Sequence, residues 1–218
     1  VVLMSLSVKD SKLDEVTKLL EESSCDITPP DPFHTVEWLN VINDSEMGSL
    51  RVFFLYDDEA LVSIFPIFYR EIGGLRIIVR APSTPYLGPF FKAVETTKMS
   101  RIIHLRQEYI RYYSEIIKRK FYCGSFFLQP DFLDIREFLW NGWSSDVRYT
   151  YINEIGNLTD LWDDLKPKVR NKIKKAGESG LTLERSNDLN RLTEIMEETY
   201  QFQDRKDPMS IKFYKSLV

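Results

Sequence analysis

Two adjacent glycines, Gly73-Gly74, separate the runs Ala60–Arg70 and Leu75–Val79. That placement constrains the fold more than any other feature of the chain. A Gly-Gly pair supplies the positive φ angles that both central positions of a two-residue hairpin turn demand. Upstream, Arg51–Tyr56 reads as a further strand, joined to Ala60–Arg70 by the acidic turn Asp57-Asp58-Glu59. Three runs in this order make a hairpin-linked meander, which argues against a purely parallel sheet. Pro66 interrupts the middle run. It lacks an amide hydrogen, so a sheet edge or a bulge is expected there.

The flanking segments add helices. Val1–Val8 is apolar enough for a strand, and Ser11 opens a capped amphipathic helix with Leu13, Val16, Leu19 and Leu20 on one face. Pro29-Pro30-Asp31-Pro32 breaks the chain, after which Phe33–Leu39 reads as a second short helix. Ala81–Pro89 carries three prolines and forms a fixed loop. Val94–Lys120 is a long helix with Met99, Ile102, Ile103, Ile110, Tyr113 and Ile117 along one side. Tyr122–Gln129 follows as a strand, Asp134–Trp140 as a short helix and Val147–Ile155 as another strand. The class is therefore α/β, a mixed sheet flanked by helices. After Asn157 the pattern restarts: Leu158–Ala176 is helical with a break at Pro167, Leu181–Arg185 is extended, and Leu189–Phe202 is helical. We place a domain boundary at 144/145, giving domains 1–144 and 145–218.

With 218 residues and 43% hydrophobic content, the chain can bury a sizeable core. Its formal net charge is −4 and its isoelectric point near 5.4. That excludes a general DNA or RNA binder; any anion site must be local. Cys25 and Cys123 have neither metal nor CxxC spacing, so they read as idle thiols in a reducing cytosol. There is no basic-then-apolar leader and no 18-residue apolar run, so a cytoplasmic chain without a membrane span is expected. The opening Val-Val-Leu-Met leaves either Met4 or a clipped segment as the true start. His34 and His104 have no serine or cysteine and acid at triad spacing, and no constellation has metal-ligand spacing. No catalytic residue is assigned, and the sequence sets no oligomeric state.

Three places offer binding chemistry. Lys166–Lys175 holds six positive charges in ten residues, while Val169, Ile173 and Ala176 share one helical face. Such a helix can dock with its charges outward. Those charges are either simply solvated or, through Arg170 and Lys174, an anion contact. Tyr86 sits between Pro85 and Gly88, where its ring either lines a cleft or packs against the long helix. Arg148 alternates with Tyr149 and Tyr151 on the strand at 147–155. One face of that strand is left for a groove between domains.

The order of these motifs resembles the FemAB-like transferases and the related CelD-like group, which carry two GNAT-type acyltransferase folds in tandem. The matching features are Phe33–Trp38, the meander Arg51–Val79, the loop Thr84-Pro-Tyr-Leu-Gly-Pro89 and the helix Val94–Lys120. They continue with Arg148-Tyr-Thr-Tyr151 and the basic Arg170-Asn-Lys-Ile-Lys-Lys-Ala176. The resemblance implies a GNAT-like domain over 1–144, followed by the helical opening of a second over 145–218. It implies transfer of an acyl or aminoacyl group to an amine, in cell-envelope or polysaccharide assembly. The donor would be acyl-CoA or aminoacyl-tRNA, with no firmly bound cofactor. The acceptor would be a small molecule or a nucleotide- or lipid-linked sugar. On this basis Tyr86, Arg148, Tyr149, Arg170 and Lys174 are the candidate substrate-binding residues.

Two departures qualify the resemblance. The nearest match to a Q/R-x-x-G-x-G/A phosphate loop is Arg70-Glu-Ile-Gly-Gly-Leu75, and it leads into a strand where a helix is required. Met209 and Phe213 stand where the peptidoglycan-precursor branch has an arginine and a tyrosine that contact the substrate. The chain also stops at Val218, ahead of the region where the chemistry is expected. The other reading is therefore a non-catalytic acceptor-binding or scaffold module.

Overall fold

The computed structural model describes residues 5–11, 13, 27–94, 96, 98–132, 134–152, 156–205, 209 and 211–216. Two compact units emerge, one formed by residues 1–144 with 189–218 and the other by 145–188. The helix expected after Ser11 lies outside the described residues, apart from Leu13, which is helical and buried. Cys25 lies outside them too, and Cys123 is a free, exposed thiol.

The first unit is built on the expected meander. Strand β1 (Leu6–Ser11) pairs antiparallel with β2 (Ser49–Asp57), β2 with β3 (Ala60–Ile72), and β3 with β4 (Leu75–Ile78). The β3–β4 turn holds Gly73 at φ 59° and Gly74 at φ 80°, the pair of left-handed conformations that a two-residue turn needs. A two-residue β5 (Phe90–Phe91) pairs antiparallel with β3, and β6 (Cys123–Gly124) runs parallel to β4. The sheet is mixed, as the sequence requires.

Pro66 sits inside β3, facing Val52 of β2. The register irregularity lies elsewhere, at Leu55/Tyr56. On its other side β3 pairs with β5 at Ser63 and Ile64, and with β4 only from Tyr69. Pro66 thus occupies the interval where that edge passes from one partner to the next. A residue without an amide hydrogen belongs in such a gap.

Both faces of the sheet are covered. Val52, Phe54, Ile64 and Phe68 pack with Leu39 and Ile42 of α1 (Val36–Asn43). Phe53, Leu55 and Phe65, on the opposite face, pack with Tyr109, Tyr113 and Ile117 of α2 (Met99–Lys120). Alternate residues of β2 therefore enter opposite cores, which is why the strand reads as an unbroken apolar run. The Tyr113 hydroxyl is buried and donates to the Phe53 carbonyl at 3.3 Å. Burial pushes its phenol far above the ordinary range.

Several elements are shorter than the sequence suggests. Helix α2 begins at Met99 rather than Val94, because a local turn precedes it: Thr96 N donates to Val94 O at 2.8 Å and Thr96 Oγ1 accepts from Lys98 N at 3.2 Å. Met99, expected on the buried stripe, is exposed. Of Tyr122–Gln129 only β6 pairs as a strand; beyond it the loop is tied by Leu87 N to Phe127 O at 2.8 Å. Gly124 has φ 147°, and a Cβ there would lie 2.3 Å from the Ile78 carbonyl, so the parallel pairing admits only glycine. The short helix α3 spans Arg136–Trp140.

Residues 145–152 are irregular and exposed, so the described part of the expected strand Val147–Ile155 is not a strand, and its last three positions lie outside the described residues. A strand needs a ladder partner, and among the described residues its unit contains no other strand. That unit consists of α4 (Leu158–Asp164), capped by Asn157 accepting from Asp160 N at 2.9 Å, and α5 (Pro167–Glu178). Pro167 takes the first turn of α5, where a missing amide hydrogen costs nothing. Helices α6 (Leu189–Phe202) and α7 (Ile211–Ser216) cluster with the first unit. There α7 packs on α1, and Lys212 Nζ meets Glu46 Oε1 at 2.9 Å.

Candidate functional site

Two segments marked by the sequence, Asp31–Trp38 and Ala81–Pro89, close on one another in the first unit. Asp31 caps a single 3-10 turn (Pro32–His34) by accepting from Phe33 N at 2.8 Å. The same carboxylate faces His34 Nδ1 at 2.9 and 3.0 Å. His34 is fully buried, and its Nε2 lies 3.0 Å from the Gly88 carbonyl. A carbonyl and a carboxylate both accept, so both contacts are hydrogen bonds only when each ring nitrogen carries a hydrogen. Farther along, Trp38 Nε1 donates to Thr84 Oγ1 at 3.0 Å. The Phe33 ring meets Trp38 and Tyr86 edge-on, both at 5.4 Å.

Tyr86 lies in this clamp. Its ring packs on Phe33, and the space beside it among Phe68, Thr84 and Phe127 is about 10 Å³, no more than one water could use. Burial pushes its phenol up, and the carboxylates of Asp31 and Asp131 add to the shift, so it stays a neutral hydroxyl.

A roomy concavity of this unit lies between β5, the first half of α2 and the stretch that carries Gln129, Asp131, Phe132 and Asp134–Arg136. Its volume is about 660 Å³, inside the range of small-molecule sites. Phe90, Phe91, Ile102, Ile103, Ile110 and Phe132 make an apolar lining. The polar groups on the lining are largely fixed. Asp134 accepts from Arg136 Nε at 2.9 Å and Nη2 at 2.8 Å, and from Gln107 Nε2 at 3.1 Å. The Arg136 bonds hold the Asp134 carboxyl below its ordinary range. Gln129 is buried and donates to the Pro89 carbonyl at 2.9 Å, joining the cavity wall to the clamp loop. Its Oε1 has no hydrogen-bond partner among the described residues.

Two charges on the lining are not neutralised this way. Arg106 lies over the Phe91 ring at 5.2 Å and meets no carboxylate among the described residues. Asp131 likewise meets no cation there. Sequence reasoning missed both. It took Ile102, Ile103 and Ile110 for core alone, although Arg106 and Gln107 interrupt the same helical stripe at i+3 and i+4, which is the available signal.

The remaining sequence candidates lie in the second unit. Tyr149 and Tyr151 are 93% and 96% exposed on irregular backbone, so the alternation that would set them on one face is absent. Arg148 is exposed beside them. Arg170 Nη1 donates to the Asp163 carbonyl at 3.3 Å and lies 3.9 Å from its carboxylate, tying α5 to α4. Lys174 is exposed and meets no acid among the described residues. Val169 and Ile173 of α5 are partly exposed, at 40% and 47%. Phe213, singled out in the sequence together with Met209, is buried in the first unit and serves packing.

The segment Arg70–Leu75 is the β3–β4 hairpin, not a loop entering a helix. Among the described residues no group of three His, Cys, Asp or Glu side chains could hold a metal, and no helix is long and apolar enough to cross a membrane. No known family's sequence profile matches the chain, and no curated protein matches it. Two solved structures are similar to it. One, described as "a possible acetyltransferase" from Clostridium difficile 630, has 7% identity and a TM-score of 0.31, covering 69% of this chain and 99% of its own. The other, an aminoglycoside acetyltransferase from an uncultured soil metagenomic sample in complex with trehalose, has 15% identity and a TM-score of 0.29, covering 70% and 97%.

Proposed function

We propose that this chain takes part in acyl or aminoacyl transfer to an amine, as a GNAT-like, FemAB-like protein, and that its first unit supplies the acceptor site. The observation that carries this reading is the apolar cavity of about 660 Å³ with its fixed polar groups. Such a transfer needs a held acceptor more than it needs a nucleophilic side chain. The acceptor nitrogen attacks the carbonyl carbon of a thioester or ester. The N–C bond forms, the C–S or C–O bond breaks, and the ammonium proton is released to solvent as the thiol or hydroxyl leaves. Donors that stabilise the oxyanion complete the step.

The finer assignments extend the sequence resemblance. Acyl-CoA or aminoacyl-tRNA is the donor, and Arg170 and Lys174 contact its phosphates. Tyr86, Arg148 and Tyr149 contribute to substrate contacts, and a nucleotide- or lipid-linked sugar in envelope or polysaccharide assembly is the larger acceptor, in the cytoplasm.

The hairpin at Arg70–Leu75 favours a second reading, in which the chain is a binding module without a phosphate loop of its own. Calorimetry with acetyl-CoA and with aminoacyl-tRNA, followed by mass spectrometry of amine acceptors, separates the two. Donor binding and an N-acylated product support the transferase; a chain that binds neither donor is the module.

A further inference from the structure

The chemistry of the cavity specifies its occupant more closely than its size does. Neutralised pairs account for Asp134, Arg136 and Gln107, which hold one another. Arg106 and Asp131 are left over, one cation and one anion on the same lining, each without an oppositely charged partner among the described residues. The Arg106 guanidinium lies over the face of Phe91. A guanidinium stacked this way is held in place while its N–H edge remains available to a planar acceptor. The rest of the lining is mostly apolar, with Phe90, Phe91, Ile102, Ile103, Ile110 and Phe132. A purely apolar ligand would leave both charges partnered by water alone. A simple anion would satisfy Arg106 and be repelled by Asp131; a simple amine would do the reverse.

We propose that the cavity is a site for a small zwitterion with an apolar body, an α-amino acid with an aromatic or branched side chain. Arg106 takes its carboxylate, Asp131 its ammonium, and Phe90, Phe91, Ile102, Ile103 and Phe132 surround its side chain. The role of that ligand as acyl acceptor rests on the transferase reading above; its binding does not. The ammonium held by Asp131 is then the nitrogen that loses a proton and receives the acyl group.

The test uses the full chain and three probes measured by calorimetry or ligand-observed NMR: L-phenylalanine, 3-phenylpropionate and 2-phenylethylamine. L-phenylalanine binds saturably, with a Kd of about 0.1–5 mM, the range open to so small a ligand. Each one-charge analogue binds at least ~10-fold more weakly. R106Q and D131N each weaken L-phenylalanine by a similar factor, while R119Q, on the far half of α2, leaves it unchanged. Both changed residues are exposed, and circular dichroism confirms that the variants fold. Absence of saturable L-phenylalanine binding overturns the proposal, and so does binding unaffected by R106Q, or 3-phenylpropionate binding as tightly as L-phenylalanine. Bound L-phenylalanine that no donor acylates overturns the transferase reading and leaves the site standing.

Discussion

His34 Nε2 reaches the Gly88 carbonyl, 54 residues away in sequence, at 3.0 Å, from a ring that is fully buried. One side chain thus ties the proline-rich entry to α1 onto the loop that leads to β5, with Asp31 holding its other nitrogen. Removing it strands the Gly88 carbonyl in the core. His34→Leu is expected to destabilise the protein by about 2–4 kcal/mol, the cost of a lost buried polar link and an unpaired acceptor. Urea unfolding checks this, and a loss under about 0.5 kcal/mol, the scatter of ordinary surface substitutions, contradicts it.

Gly73 and Gly124 both have positive φ but differ in surroundings. Nothing lies within 4 Å of a Cβ at Gly73, whereas at Gly124 it would strike the Ile78 backbone. Gly73→Ala should therefore cost only the left-handed strain of about 1–2 kcal/mol. Gly124→Ala should cost more, since the β4–β6 pairing must open. Equal unfolding midpoints for the two variants would refute the contrast.

Tyr113 sets an alkaline limit. Its folded pKa is raised by burial, so the protonated phenol contributes stability that is fully present below the unfolded value, about 10. That contribution is lost as pH climbs toward the folded value. Stability of the native chain should fall above about pH 10 more steeply than that of Tyr113→Phe. At neutral pH the variant should be weaker by about 1 kcal/mol for the hydrogen bond to Phe53. Parallel alkaline limbs in the two proteins would show that Tyr113 is not the group responsible.

Asp134 works in the opposite direction. Arg136 lowers its pKa, so the pair contributes stability above the unfolded value of about 3.9, lost as pH falls through the folded value. Asp134→Asn should be less stable than the native chain near neutrality, and the difference should close in the acid range. A difference that is independent of pH would mean that the carboxylate's charge plays no part in holding Gln107 and Arg136.

Much of the first unit was legible in the sequence. Gly73-Gly74 fixes the hairpin, and the apolar run of β2 reflects burial on both faces. Leu189–Phe202 matches its helix end for end because its periodicity is unbroken. Less was legible where tertiary pairing decides. Val147–Ile155 has β-favouring residues, but among the described residues nothing in its unit pairs with it, and Tyr122–Gln129 pairs over only two residues. Tyr86 could be read as lining a cleft or as packing on the long helix, and its ring contact with Phe33 was not legible because the two lie 53 positions apart in the chain. The cavity was hidden because Ile102, Ile103 and Ile110 on α2 have the spacing of an ordinary core stripe, and Asp131 comes to them from a loop.

The central claim is that a ligand enters the space between α2, β5 and the stretch that carries Gln129, Asp131, Phe132 and Asp134–Arg136. Methyl NMR of isoleucine-labelled protein during titration with L-phenylalanine tests it most directly. The resonances of Ile102, Ile103 and Ile110 should shift together and saturate, while Ile42 of α1 and Ile173 on α5 stay in place. Unmoved resonances at all three cavity isoleucines, or shifts confined to Ile173, would contradict the account.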